Sequence, residues 1–184
     1  MMTLEECSKL FERHLINLLG CNPNGVRKDY QQESSPFHKI EENVCYYYVQ
    51  PTDESVNRQI DTRYNPLDET KAQQINSYNR ALELNITLYG KDAYDKAVML
   101  RLDLLEPTLN WDLAAKGLYV IPDVAEPFAL WEPYNNRWWQ RVDMQVRYNN
   151  LVTDERHTVN YLSSADITVA SEQTERLIEV KEGE

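Results

Sequence analysis

The stretch RWWQRVDMQVRYN, residues 137–149, alternates cleanly from Trp138 onward. Val142, Met144, Val146 and Tyr148 point one way, and Arg141, Asp143, Gln145 and Arg147 point the other. Period-two alternation over this length predicts a half-buried strand. The outward row carries both signs of charge and begins beside Trp138 and Trp139. It is either the solvated side of a sheet or a contact surface, and both readings stay open. Just upstream, FALW at 128–131 predicts a partner strand and PYNN at 133–136 a turn, so 128–149 reads as a hairpin.

Outward from the hairpin, the signals alternate between strand and helix. TLEE at 3–6 is a capping box, Thr3 at the N-cap and Glu6 three residues on. An amphipathic helix over 4–19 follows, with Gly20 as its stop. NVCYYYVQ at 43–50 is β-branched and aromatic, a strand ended by Pro51. Residues 71–89 predict a long strand, bulged near Ser77 and strictly alternating from Leu82 to Leu88. Asp92 is the expected cap of a helix reaching Leu105, and a short helix over 109–116 precedes Gly117. LYVI at 118–121 is a short strand. Asn149-Asn150 predicts another turn, 158–162 a weak strand, and DITVA at 166–170 a last strand returning antiparallel to the organising one. The sum is one α+β domain over 1–184, a mostly antiparallel sheet with helices packed on one face. Polar stretches at 22–42 and 51–69 read as loops, the second either a docking arm or a solvated connector. The acidic tail 172–184 reads as helical or disordered, with Leu177, Ile178 and Val180 available to dock on a neighbour.

The chain has 184 residues and a formal charge of −11, which disfavours binding to nucleic-acid backbones. An acidic wall would instead let DNA slide past without sticking. Twelve tyrosines and four tryptophans against three phenylalanines form a polar-tipped aromatic set, suited to strands or to subunit interfaces. Cys7, Cys21 and Cys45 have neither disulfide-framework nor zinc spacing and read as reduced thiols. The N-terminus does not read as a signal peptide, and no stretch approaches a membrane span.

Converging chemistry does not emerge. No phosphate-cradling glycine loop and no nucleophile elbow occurs. His14, His38 and His157 have no Glu or Cys partners at metal-ligand spacing, and His14, on the apolar helix stripe, reads as structural. The expectation is no catalytic residue, no cofactor and no metal. A folded, acidic, aromatic-rich domain without chemistry is most simply an assembly protein. On that reading, Arg141, Asp143 and Arg147 pair with charges on a neighbouring copy, and Trp131, Trp138 and Trp139 anchor a desolvated centre. Core tryptophans and a solvated charged face are the competing reading.

Four segments carry a family resemblance: LNITLYG at 84–90 with Asp92, Ala93 and Ala97; GLYVIPD at 117–123; WWQRVD at 138–143 with VRYN at 146–149; and ADITV at 165–169. In this order and spacing they resemble the tailed-bacteriophage neck and tail terminator family, across residues 80–170. The resemblance implies a tail-terminator-like fold and a homo-oligomeric ring, typically a hexamer. Such a ring caps the tail tube, contacts the tail tube protein and joins the tail to the head connector or stopper, leaving a channel for DNA. It also implies residence in the virion tail or neck after assembly in the host cytoplasm, with no membrane association. A head-completion or connector-stopper protein is the alternative within structural proteins, and a small metal-dependent enzyme the alternative outside them.

Overall fold

The computed structural model describes residues 2–29, 39, 42–134, 136–161, 166–171 and 174–179, with Tyr134 and the last two stretches described by backbone alone. Its elements are α1 (Leu4–Leu19), β1 (Val26–Lys28), β2 (Val44–Pro51), β3 (Asp61–Pro66), β4 (Lys71–Tyr89), α2 (Ala93–Leu105), α3 (Trp111–Ala114), β5 (Leu118–Val120), β6 (Phe128–Tyr134), β7 (Arg137–Asn160), β8 (Asp166–Ser171) and β9 (Thr174–Glu179). They divide into two compact units, Met1–Gln59 with Tyr78–Val152, and Ile60–Ser77 with Thr153–Glu184.

The first unit holds an α+β core. Its strands run β1-β2-β4-β7-β5, with β6 paired to β7. β1 pairs parallel with β2, whereas the β2–β4, β5–β7 and β6–β7 pairings are antiparallel, so the sheet is mixed. α1 begins as its capping box predicts: the Thr3 amide donates to Glu6 Oε2 at 2.7 Å and the Glu6 amide to Thr3 Oγ1 at 3.2 Å. It ends on Gly20 in the left-handed region. Cys7, Phe11 and Leu15 form its buried face. They meet alternate residues of two strands, Leu82, Leu84, Ile86 and Leu88 of β4 and Val142, Met144, Val146 and Tyr148 of β7. α2 adds Ala93, Ala97, Leu100 and Leu104, two alanines allowing close approach. Each large side chain buried this way is worth about 1.5–3 kcal/mol.

Some sequence expectations change here. Asp92 takes the N-cap position of α2 but makes no side-chain capping bond; its carboxylate accepts from Asn43 Nδ2 at 3.4 Å. The short helix is a single turn, α3. The hairpin turn is tighter than PYNN suggests: β6 continues through Tyr134, which pairs with Arg137, and Asn136 takes φ 60°. Short polar Asn tolerates that conformation. The largest correction is at Asn149-Asn150, where β7 does not turn but runs on to Asn160. Asn150 is buried, accepts from Arg80 Nη2 at 2.6 Å and donates to the Gly117 carbonyl at 3.3 Å. Two cross-strand partners hold extended a residue whose type alone signals a turn. The weak strand expected at 158–162 is the end of this same strand, up to Asn160.

In the second unit, β3 pairs antiparallel with residues 72–77 of β4 in unbroken register. Asp68 closes the intervening turn, its Oδ1 accepting from the Thr70 amide at 2.7 Å. The polar stretch 51–69 therefore holds a strand. Every β3 residue is exposed, so no hydrophobic alternation marks it. β8 pairs antiparallel with β9 rather than returning to β7. β9 lies inside the tail read as helical or disordered, of which 172–173 and 180–184 fall outside the described residues. Within 22–42, β1 is a strand, and 30–38 and 40–41 fall outside the described residues.

Candidate functional site

Helices cover one face of the first unit's sheet; the other carries Tyr46, Tyr48, Glu83, Asn85, Thr87, Tyr89, Trp139, Arg141, Asp143, Gln145 and Arg147. This follows from the registers, which place these residues out of phase with the buried positions. The side chains form a hydrogen-bonded carpet across strands. Gln50 Nε2 donates to Glu83 Oε1 at 2.7 Å, Gln145 Nε2 to Asn85 Oδ1 at 3.3 Å, and Thr87 Oγ1 to Asp143 Oδ1 at 2.8 Å. The Tyr46 and Tyr89 rings meet edge to face at 5.9 Å.

The six residues singled out from sequence do not share one surface. Trp139, Arg141, Asp143 and Arg147 lie on this open face. Trp131 pairs with Gln140, and Pro133 with Trp138, which puts Trp131 and Trp138 on the opposite side of the hairpin. There they are 61% and 65% exposed, past the end of the core. Trp139 is half-buried.

The charged row is paired within the chain. Arg141 Nε donates to Asp143 Oδ1 at 2.8 Å, and its Nη1 reaches Glu132 Oε2 at 3.5 Å. The Asp143 contact is the main cause of an upward shift of the guanidinium. Glu132 also accepts from the Tyr89 hydroxyl at 2.8 Å. Burial first, and that bond second, push the Tyr89 phenol up. Arg147 bridges Glu54 at 3.2 Å and Asp123 at 3.0 Å, tying β7 to two loops. Half-exposed pairs of this kind each add little stability, but together they hold the face in one arrangement. Glu132, Tyr89, Thr87, Glu54 and Asp123 escaped sequence reasoning, because nothing local reveals a partner tens of residues away. Phe128, 66% exposed opposite Asp143, was readable once the hairpin register was known.

Burial pushes the Cys7, Cys21 and Cys45 thiols up, away from the nucleophilic thiolate. In the groove between α1 and β2, Ser8 Oγ donates to the Tyr47 hydroxyl at 3.4 Å, which donates to Glu12 Oε2 at 3.3 Å. Burial, foremost, pushes the Tyr47 phenol up to about 12. His14 is buried, its Nε2 3.0 Å from Asn110 Oδ1. Asn110 Nδ2 in turn donates to the carbonyls of Leu104 and Glu106, both at 2.8 Å, capping the end of α2. The role is structural. Among the described residues, no group of three or more His, Cys, Asp or Glu side chains is placed to hold a metal ion; His38 lies outside them. No described helix is long and apolar enough to cross a membrane.

A family model described as phage neck terminator protein matches residues 5–174. No individually curated protein matches the chain.

Proposed function

The chain belongs to the phage neck terminator protein family, structural components of the virion neck and tail, and from this we propose that it is the tail terminator subunit. Copies close into a ring, six by the family resemblance, that caps the tail tube, halts its growth and receives the head connector. The observation that carries this reading is the extent of the family match, from the first turn of α1 to the first residue of β9. The surface supports it. Trp131 and Trp138 are solvent-facing aromatics of the kind that anchor interfaces, and the paired row of Trp139, Arg141, Asp143 and Arg147 is a pre-ordered contact face. A chain with formal charge −11 lets DNA pass through the channel without adhering.

Deletion of this chain from its phage tests the reading by electron microscopy of the lysate. The terminator role predicts overlong tails, or tails of normal width unjoined to heads. Tails of normal length beside heads that leak DNA would instead assign the chain to the head-completion or stopper position. Restoring the chain as Trp131→Ala/Trp138→Ala is expected to leave soluble protein but few joined particles. Full complementation by that variant would remove the hairpin from the interface.

A further inference from the structure

α2 is apolar on both sides. Its inner side buries Ala93, Ala97, Leu100 and Leu104. Half a turn away, its outer side presents Met99, 59% exposed, and Leu102, 53% exposed, one helical turn apart. Leu109 and Trp111, just past the helix, are exposed as well. That outer side also carries charge: Asp95 and Glu106 lie on the same stripe as Met99 and Leu102, Asp103 and Asp112 stand toward its C-terminal end, and Lys91 and Lys96 toward its N-terminal end, so the acids outnumber the lysines four to two and gather toward the C-terminus. None of the four acids makes an ion pair among the described residues. The tip of the β6–β7 hairpin has the opposite character. Trp131 and Trp138 are exposed on one face, and Arg137, at the turn and on the other face by register, is an exposed cation with no ion pair among the described residues.

We propose that the hairpin tip of one copy seats on the outer face of α2 and α3 of the next. Trp131 and Trp138 lie against Met99 and Leu102, and Arg137, at the edge of the tip, reaches past them to the acids at the C-terminal end of α2. The inference rests on the reading that the chain self-assembles, and it names the two unlike patches that a ring requires. Charge decides against the like-with-like contacts. Two α2 faces packed together would oppose Asp95, Asp103 and Glu106 to their own copies, and two hairpin tips would oppose Arg137 to itself. Met99 is conformable enough to fit around a rigid indole, and Trp and Arg are the side chains that concentrate binding energy.

The full-length chain tests this by sedimentation at its highest soluble concentration. Arg137→Glu and Asp103→Lys are each expected to weaken association by about tenfold or more, and the double variant to recover most of the loss. Lys near the end of α2 suits the helix dipole, so folding is retained, which thermal melting checks. Wild-type association in both single variants overturns the contact while leaving the terminator reading intact. A wild-type chain that stays monomeric, alone and in a tail-tube extract, overturns both. Bis-maleimide crosslinking decides the case even if a charge variant misfolds. M99C mixed with W138C is expected to yield crosslinked pairs above the wild-type background, which is set by the buried Cys7 and Cys45 and the half-buried Cys21. Crosslinking of M99C alone, with no further product on mixing it with W138C, would show a two-fold contact and overturn the proposal.

Discussion

Tyr148 packs its ring against Phe11 at 4.7 Å in the centre of the core, fully buried, yet its hydroxyl has no hydrogen-bond partner among the described residues. A buried hydroxyl left unpaired costs more than the bond it could make. Tyr148→Phe is therefore expected to raise stability by about 1 kcal/mol. Urea denaturation measures it; a loss of stability would mean the hydroxyl has a partner in solution. His14 makes the opposite case, a buried polar group whose partner is essential. Burial lowers its pKa below the ordinary 6.5, against smaller upward contributions from the Asn110 bond and from Asp112. Between the lowered folded value and 6.5 the unfolded chain binds more protons. Stability is thus fully present above pH 6.5 and is lost as the pH falls through that window. His14→Gln places an amide where Nε2 donates to Asn110 without a titrating proton. It should flatten this part of the pH dependence, read as the change in urea midpoint between neutral and mildly acidic pH. Parallel profiles for the two proteins would remove His14 as the cause.

At the scale of elements, legibility follows from whether the signal is local. α1 matches its expected span because a capping box, an apolar stripe and a stop glycine all lie within its own residues. β4 and the hairpin were legible because alternation belongs to one strand. β3 was not, since a strand exposed at every residue is held by backbone pairing with β4 and leaves no hydrophobic trace. The passage of β7 through Asn149-Asn150 was hidden for a related reason: the residues that override the turn preference, Arg80 and Gly117, are remote in sequence. The same limit applied to the surface. Residue types marked Trp131 and Trp138 as notable, but only the register told which face each occupies. The link between β4 and α2 is where local chemistry and tertiary crowding coincide. Gly90 has φ +119°, and a Cβ there would run into the Asn43 side chain and lie 2.9 Å from the Asn43 Cα and the Glu42 carbonyl oxygen. Gly90→Ala is expected to cost about 2–3 kcal/mol, from backbone strain plus displacement of the 42–43 segment. A thermal melt unchanged from wild type would show that this segment yields freely.

For the whole molecule, the distribution of the core sets what each part can do alone. Every member of the buried hydrophobic cluster, from Cys7 of α1 to Tyr148 of β7, belongs to the first unit. The second unit is built from strands alone: β3 on the start of β4, the end of β7 from Thr153 to Asn160, and β8 on β9. Small sheets need a packed hydrophobic face to be stable alone, and the first unit has its own. The first unit is therefore expected to fold without the second. Removing residues 60–77 requires no long bridge, because Asp61 and Ser77 are paired partners and a short Gly-rich turn can join Gln59 to Tyr78. A chain so joined and ended at Val152 retains α1, α2, the Arg80–Asn150 bond and the hairpin, all first-unit features. Its melting transition should stay cooperative and within a few degrees of the full chain, a loss of about 1 kcal/mol. If this shortened chain is instead insoluble or melts without cooperativity, the first unit does not fold without the second.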